Sequence, residues 1–154
     1  MRAHIALTAD ENYMDLAILV SRNSICTGGH MGCVLVKDGE ILAVATNTPL
    51  FQPYASDVHA EVNAVSGCAR RGQSTAGTTA YITMPPCKHC FMVLQAAGIH
   101  RVVSRHATPL ENCIQVLLPK NACRQMSSYR WCLHGCLSLH RRSGAGPIWA
   151  FRGV

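Results

Sequence analysis

The chain has 154 residues, room for one domain that buries most of the surface its unfolded form exposes. Hydrophobic residues make up 49% and charged residues 14%, which excludes a disordered charged tail and a coiled coil. The formal net charge of +6 is uneven: residues 1–109 carry eight Lys/Arg and seven Asp/Glu, residues 110–154 six and one.

Taken in chain order, residues 10–22 put Tyr13, Leu16, Ala17 and Val20 on one face with Asp10 as the cap, an amphipathic first helix. Residues 33–37 and 41–45 are β-type runs joined by Asp38-Gly39, the dipeptide of a tight hairpin. A loop over 48–56 carries Pro49 and Pro53, and Ser56 or Asp57 is set to cap a helix from about 58 to 71 that ends at Gly72. Residues 78–83 read as a strand. Pro85-Pro86 then opens a helix, within its first turn, that runs to Gly98, and residues 99–103 form another strand. With helices between the later strands, a mixed sheet covered by helices on its faces is expected, an α/β protein.

The tail is read as a helix over 110–118 ended by Pro119, an apolar Cys-rich helix over 129–140 and a strand over 148–151. Two units follow from the charge and composition shift: residues 1–109, and a basic, Cys-rich extension over 110–154 packed on the same domain. Positions 132, 136 and 140 share a helical face within a cluster of Cys123, Cys132, His134, Cys136 and His140. Ordinary core packing is the expected reading, with a second metal site as the alternative. Arg124, Arg130, Arg141 and Arg142 read as solvated surface, with a phosphate or RNA contact as the alternative. No apolar run approaches the roughly 18 residues of a membrane span, and the run over 5–9 stops at Asp10 and Glu11, too soon for a signal peptide. A cytoplasmic protein without a membrane partner is expected, the nucleus being the other compartment that fits.

Nine cysteines, odd in number and irregularly spaced, point to metal or buried thiols rather than disulfides. Two patterns focus the metal reading: His59-Ala60-Glu61 at one helix start, and Pro86-Cys87-Lys88-His89-Cys90 at the next, 28 positions on from His59 to Cys87. A Cys-x-x-Cys at a helix start favours thiolates, and His59, Cys87 and Cys90 suit zinc, with a fourth position left open for water as in a catalytic site. Glu61, two residues from His59, is placed to take a proton from that water. The competing readings are a structural zinc or buried thiols. His89, between the cysteines, is read as solvent-facing rather than as a ligand.

His59-Ala-Glu-Val-Asn-Ala-Val65, Pro86-Cys-Lys-His-Cys90 and Ala97-Gly98-Ile99 together resemble the cytidine and deoxycytidylate deaminase superfamily, over about residues 10–105. The resemblance implies a three-layer αβα sandwich with a central mixed sheet, and Zn2+ held by His59, Cys87 and Cys90. It implies hydrolytic loss of ammonia from an amino-bearing ring, with Glu61 shuttling protons. It also implies a sugar contact for Asn47, a contact from the Ala60 backbone to the ring edge, and a homo-oligomer. Asn63 follows a pattern frequent in the deoxycytidylate branch. Met84-Pro85-Pro86 and Ala45 depart from common family residues on the substrate side, not at the metal. The expected substrate is a small nucleoside or nucleotide bearing cytosine. An RNA-editing deaminase using the basic tail and a catalytically silent zinc-stabilised subunit are the alternatives.

Overall fold

The structure, a computed structural model, describes residues 7–105 together with the backbone of 137–139 and 148–152. Its elements are α1 (Ala9–Ser21), β1 (Gly32–Lys37), β2 (Glu40–Thr46), α2 (Ala60–Arg70), β3 (Thr79–Ile82), α3 (Lys88–Ala96), β4 (Arg101–Ser104), β5 (Leu137–Leu139) and β6 (Ile148–Arg152). The strands form one sheet in the order β2-β1-β3-β4-β6-β5. Only β3 and β4 run parallel, because α3 crosses between them; the other neighbours are antiparallel.

Alternation along the central strands explains the layers. Cys33 and Leu35 of β1, Ala80 and Ile82 of β3 and Val102 of β4 pack with Ala60, Ala64 and Cys68 of α2 and Leu94 of α3. Their neighbours Val34, Val36, Tyr81 and Val103 face the other way, against Met14 and Ala17 of α1. Side chains on both faces of β1 are therefore buried, and the expected three-layer αβα sandwich with a mixed sheet is the fold.

The β1–β2 hairpin turns at Asp38 (φ 50°) and Gly39 (φ 84°), two left-handed residues in the turn whose twist suits antiparallel strands. Its register slips between Leu35, opposite Ala43, and Val36, opposite Ile41, so Leu42 sits in a bulge.

Several boundaries differ from the sequence reading. Thr8, not Asp10, caps α1, in a reciprocal box with Glu11, while Asp10 lies in the first turn and its side chain pairs with Arg101. The buried stripe of α1 is Met14, Ala17 and Ser21, with Tyr13, Leu16 and Val20 at its flank. Neither Ser56 nor Asp57 caps α2. Val58 is extended by a two-way backbone bridge to Thr48, so the helix starts two residues later and His59 takes the cap position. Pro85 and Pro86 precede α3 instead of entering it, and Cys87 is the cap. Leu137–Leu139 is a strand paired with β6, which overturns the end of the expected helix over 129–140. The expected strand near 148–151 is β6, at the free side of β4. The expected helix over 110–118, the cysteine and histidine cluster of the tail and its arginines lie outside the described residues.

Candidate metal centre and its cavity

Both halves of the site come from helix starts. At the beginning of α2, His59 has extended backbone (φ −72°, ψ 154°) and makes no side-chain cap bond, so its imidazole is free to turn toward α3. At the beginning of α3, the Cys87 sulfur accepts the backbone N–H of Cys90 at 3.5 Å, the capping geometry of an orphan helical donor met by a thiol.

Those two starts meet. His59 Nδ1 lies 3.3 Å from Cys90 Sγ and 3.7 Å from Cys87 Sγ, and the three ligand atoms all fall within 4.8 Å of one another. Tetrahedral zinc with Zn–S and Zn–N bonds of about 2.3 and 2.0 Å sets ligand atoms about 3.5–3.8 Å apart, so this donor set fits the ion with little adjustment. His89 is exposed and outside the cluster.

Burial above all, then the charge of Glu61 and the Cys87 sulfur, pushes the Cys90 thiol well above its ordinary range. A thiolate there needs positive charge beside it, which a divalent metal supplies.

Glu61, in the first turn of α2, is 5% exposed. Burial raises its carboxyl above the ordinary value, against the opposing pull of its own backbone N–H, the His59 charge and a Cys90 hydrogen bond. Glu61, His59 and Cys87 line a cavity of about 260 Å3 with Gly28, Met31, Ser56, Ile82, Met84 and Pro85. The sequence points to Glu61, His59 and Cys87, and through the resemblance to Met84 and Pro85 on the substrate side, but not to Gly28, Met31, Ser56 or Ile82. By sequence Ser56 is a candidate helix cap, and nothing in its local pattern marks it as a cavity residue.

Asn47 is 1% exposed and sits behind this wall. Its Oδ1 accepts from Ser24 Oγ at 2.7 Å and Met31 N at 2.9 Å, and its Nδ2 donates to Gly29 O and Ser56 Oγ, both at 2.8 Å. All four hydrogen-bonding positions of the amide are met by protein groups in this structure. Ala60 is buried, 0% exposed, at the first position of α2, where helix geometry leaves a backbone N–H without an intrahelical partner. Asn63 anchors the helix instead of facing the cavity, donating to Thr46 O at 2.8 Å and Thr48 Oγ1 at 3.0 Å.

Known proteins are similar to this chain. The chain is 38% identical over 109 residues to the riboflavin biosynthesis protein RibD of Escherichia coli (strain K12), covering 65% of this chain and 28% of that one. It therefore spans less than a third of that relative. It is 29% identical over 119 residues to a deoxycytidylate deaminase of Mycobacterium phage D29, covering 61% of this chain and 91% of the phage protein. Among solved structures, the dCMP deaminase from cyanophage S-TIM5 matches with a TM-score of 0.63 and 30% identity, covering 72% of this chain and 93% of that one. The same enzyme has also been solved in complex with dCMP and dUMP. Residues 7–106 match the family described as the cytidine and deoxycytidylate deaminase zinc-binding region, and both helix starts fall inside that span. The chain belongs to this family of zinc-binding deaminases.

Proposed function

We propose that the chain removes ammonia hydrolytically from a cytosine-bearing nucleoside or nucleotide, giving the uracil product. The observation that carries this reading is the nearly buried Glu61 carboxylate on the cavity wall next to the His59, Cys87 and Cys90 cluster. The likeness to a dCMP deaminase over 93% of that protein favours a nucleotide.

In this reading His59 Nδ1 and the sulfurs of Cys87 and Cys90 hold zinc, which supplies Lewis acidity that brings water toward ionisation near neutral pH. The Glu61 carboxylate would take one proton from the attacking water and pass it to the ring nitrogen as the C–O bond forms, then take the second from the new hydroxyl and pass it to the amine, so that the C–N bond breaks, ammonia leaves and the carbonyl remains. Burial raises the Glu61 carboxyl, which favours its taking up a proton. Ile82, Met84 and Pro85 form an apolar wall for the flat faces of a base, and the family resemblance gives the Ala60 N–H as the contact to the ring edge.

A second reading follows from the RibD likeness: the ring is a diaminohydroxyphosphoribosylaminopyrimidine, which a Buchnera relative 33% identical over 106 residues is named for deaminating. The two readings share the metal and Glu61 and differ in the ring. The homo-oligomer that the resemblance implies is tested by sedimentation of the zinc-loaded protein.

The deciding experiment is ammonia release by the zinc-loaded protein with cytidine, deoxycytidine, CMP, dCMP, the diaminopyrimidine nucleotide and a tRNA anticodon stem. Turnover of dCMP or CMP is expected. Turnover of the diaminopyrimidine alone moves the assignment to the second reading, and turnover of the RNA alone makes it an editing enzyme. In Glu61→Gln, zinc content stays and kcat falls by about 10²-fold or more. Full activity in that variant overturns the mechanism.

A further inference from the structure

The hydrogen-bond accounting around Asn47 leaves one proton over, and it belongs to a residue of the cavity. Met31 N–H can only donate, so the Asn47 atom facing it at 2.9 Å is the amide oxygen. The Gly29 carbonyl can only accept, so the atom facing it at 2.8 Å is the amide nitrogen. Two backbone groups thus fix which way the side-chain amide points, independently of any other side chain. Ser24 Oγ, at 2.7 Å, fills the second lone pair of Oδ1. The second hydrogen of Nδ2 then goes to Ser56 Oγ at 2.8 Å.

Ser56 is therefore an acceptor toward Asn47, and its own O–H is turned away from it. Ser56 lines the cavity. Among the described lining residues outside the metal cluster and Glu61, the others are Gly28, Met31, Ile82, Met84 and Pro85, none of which has a side-chain N–H or O–H. The Ser56 hydroxyl is the one neutral side-chain donor among these described residues, its proton kept off Asn47 by an amide that the backbone itself orients.

We propose that Ser56 is a specificity-determining residue whose O–H donates to an acceptor oxygen of the substrate, and that Asn47 is a positioning residue acting through it. The acceptor is an oxygen of the pyrimidine nucleotide, on the ring, the sugar or the phosphate; this rests on the substrate reading given above. Asn47 then favours substrate binding without touching the substrate. Its amide also ties the segments that carry Gly28, Met31 and Ser56, so one side chain sets the cavity's donor and part of its outline.

The test measures steady-state kinetics with dCMP and with deoxycytidine for the zinc-loaded wild type, Ser56→Ala, Ser56→Thr, Asn47→Asp and the Ser56→Ala/Asn47→Asp double variant. Ser56→Ala is expected to raise KM for dCMP about 5- to 10-fold, the worth of one neutral hydrogen bond, with zinc content and thermal midpoint unchanged. Ser56→Thr keeps the hydroxyl and restores most of the affinity. Asn47→Asp replaces the Nδ2 donor by an acceptor that draws the Ser56 proton to itself; KM rises as in Ser56→Ala, and the double variant is no worse than the weaker single. A Ser56→Ala penalty that persists with deoxycytidine places the acceptor on the ring or sugar, and one confined to dCMP places it on the phosphate. If Asn47→Asp does not fold, the Ser56→Ala and Ser56→Thr pair decides alone. Turnover of dCMP with KM unchanged in Ser56→Ala overturns the Ser56 assignment and leaves the deaminase reading standing. A wild type that turns over no pyrimidine nucleoside or nucleotide overturns both.

Discussion

Cys87 and Cys90 are three residues apart yet meet different surroundings: the Cys87 side is exposed, while Cys90 is 2% exposed and packed at the start of α3. Cys26, Cys33 and Cys68 are buried as well, each a free thiol. Stripping zinc with a chelator should therefore make Cys87 the first of these five to be alkylated by iodoacetamide, and zinc should protect it; peptide mass mapping reads the order. Cys87→Ala removes both a ligand and the cap of α3, so zinc content in that variant should fall sharply. Retention of stoichiometric zinc there would contradict the ligand set. The exposed Asp57 shows the same division of labour at a loop: its Oδ2 accepts the N–H groups of Leu50, Phe51 and Gln52, which hold its carboxyl below the usual range. Read from sequence, Asp57 is a ready helix cap. Spatial neighbours claim it first.

Element boundaries show the same competition. The existence and order of α1, the hairpin, α2, β3, α3 and β4 follow from periodicity and turn residues, and all are present. Their ends were misread where a side chain or backbone group found a partner distant in sequence: Asp10 at Arg101, Val58 at Thr48. The α1 cap is a local device, and Thr8→Ala should cost about 1 kcal/mol in denaturant unfolding. Gly32, at the start of β1, is a tighter constraint. A Cβ there would collide with the Ala17 carbonyl oxygen and press on Ser21, both on α1, so the strand passes the helix at a distance only glycine allows. Gly32→Ala should destabilise the fold by about 2 kcal/mol or more, well beyond the cap variant, because backbone atoms have to move.

Across the whole molecule, one polar cluster ties α1 to the centre of the sheet. Arg101 of β4 donates to Asp10 Oδ1 at 2.7 Å and Oδ2 at 2.6 Å, and Tyr81 of β3 donates its hydroxyl to Asp10 Oδ1 at 2.8 Å. The Arg101 hydrogen bonds lead in holding the Asp10 carboxyl below its ordinary value; burial opposes them, and the Tyr81 bond and the Arg101 charge add to them. A depressed carboxyl stabilises the fold above the unfolded-state value of about 3.9, and that stabilisation is lost as pH falls through the lower folded value. Urea unfolding between pH 6 and 3 should thus show a steeper loss for the wild type than for Asp10→Asn, which has no such carboxyl to protonate. Parallel profiles would show that the pair adds nothing to acid stability.

The sequence by itself determined the class of the protein: an α/β sandwich of this element order, a zinc-binding deaminase motif in His59-Ala-Glu61 and Pro86-Cys-Lys-His-Cys90, and the hairpin at Asp38-Gly39. Those features are local, since a turn, a helix start or a metal-ligand spacing is written within a few residues. The tertiary structure alone put Gly28 and Met31 of one loop against Ser56 of another on the cavity wall. It also decided what Asn47 has left to offer. An amide has four hydrogen-bonding positions, and only the folded chain shows that Ser24, Met31, Gly29 and Ser56 take them all.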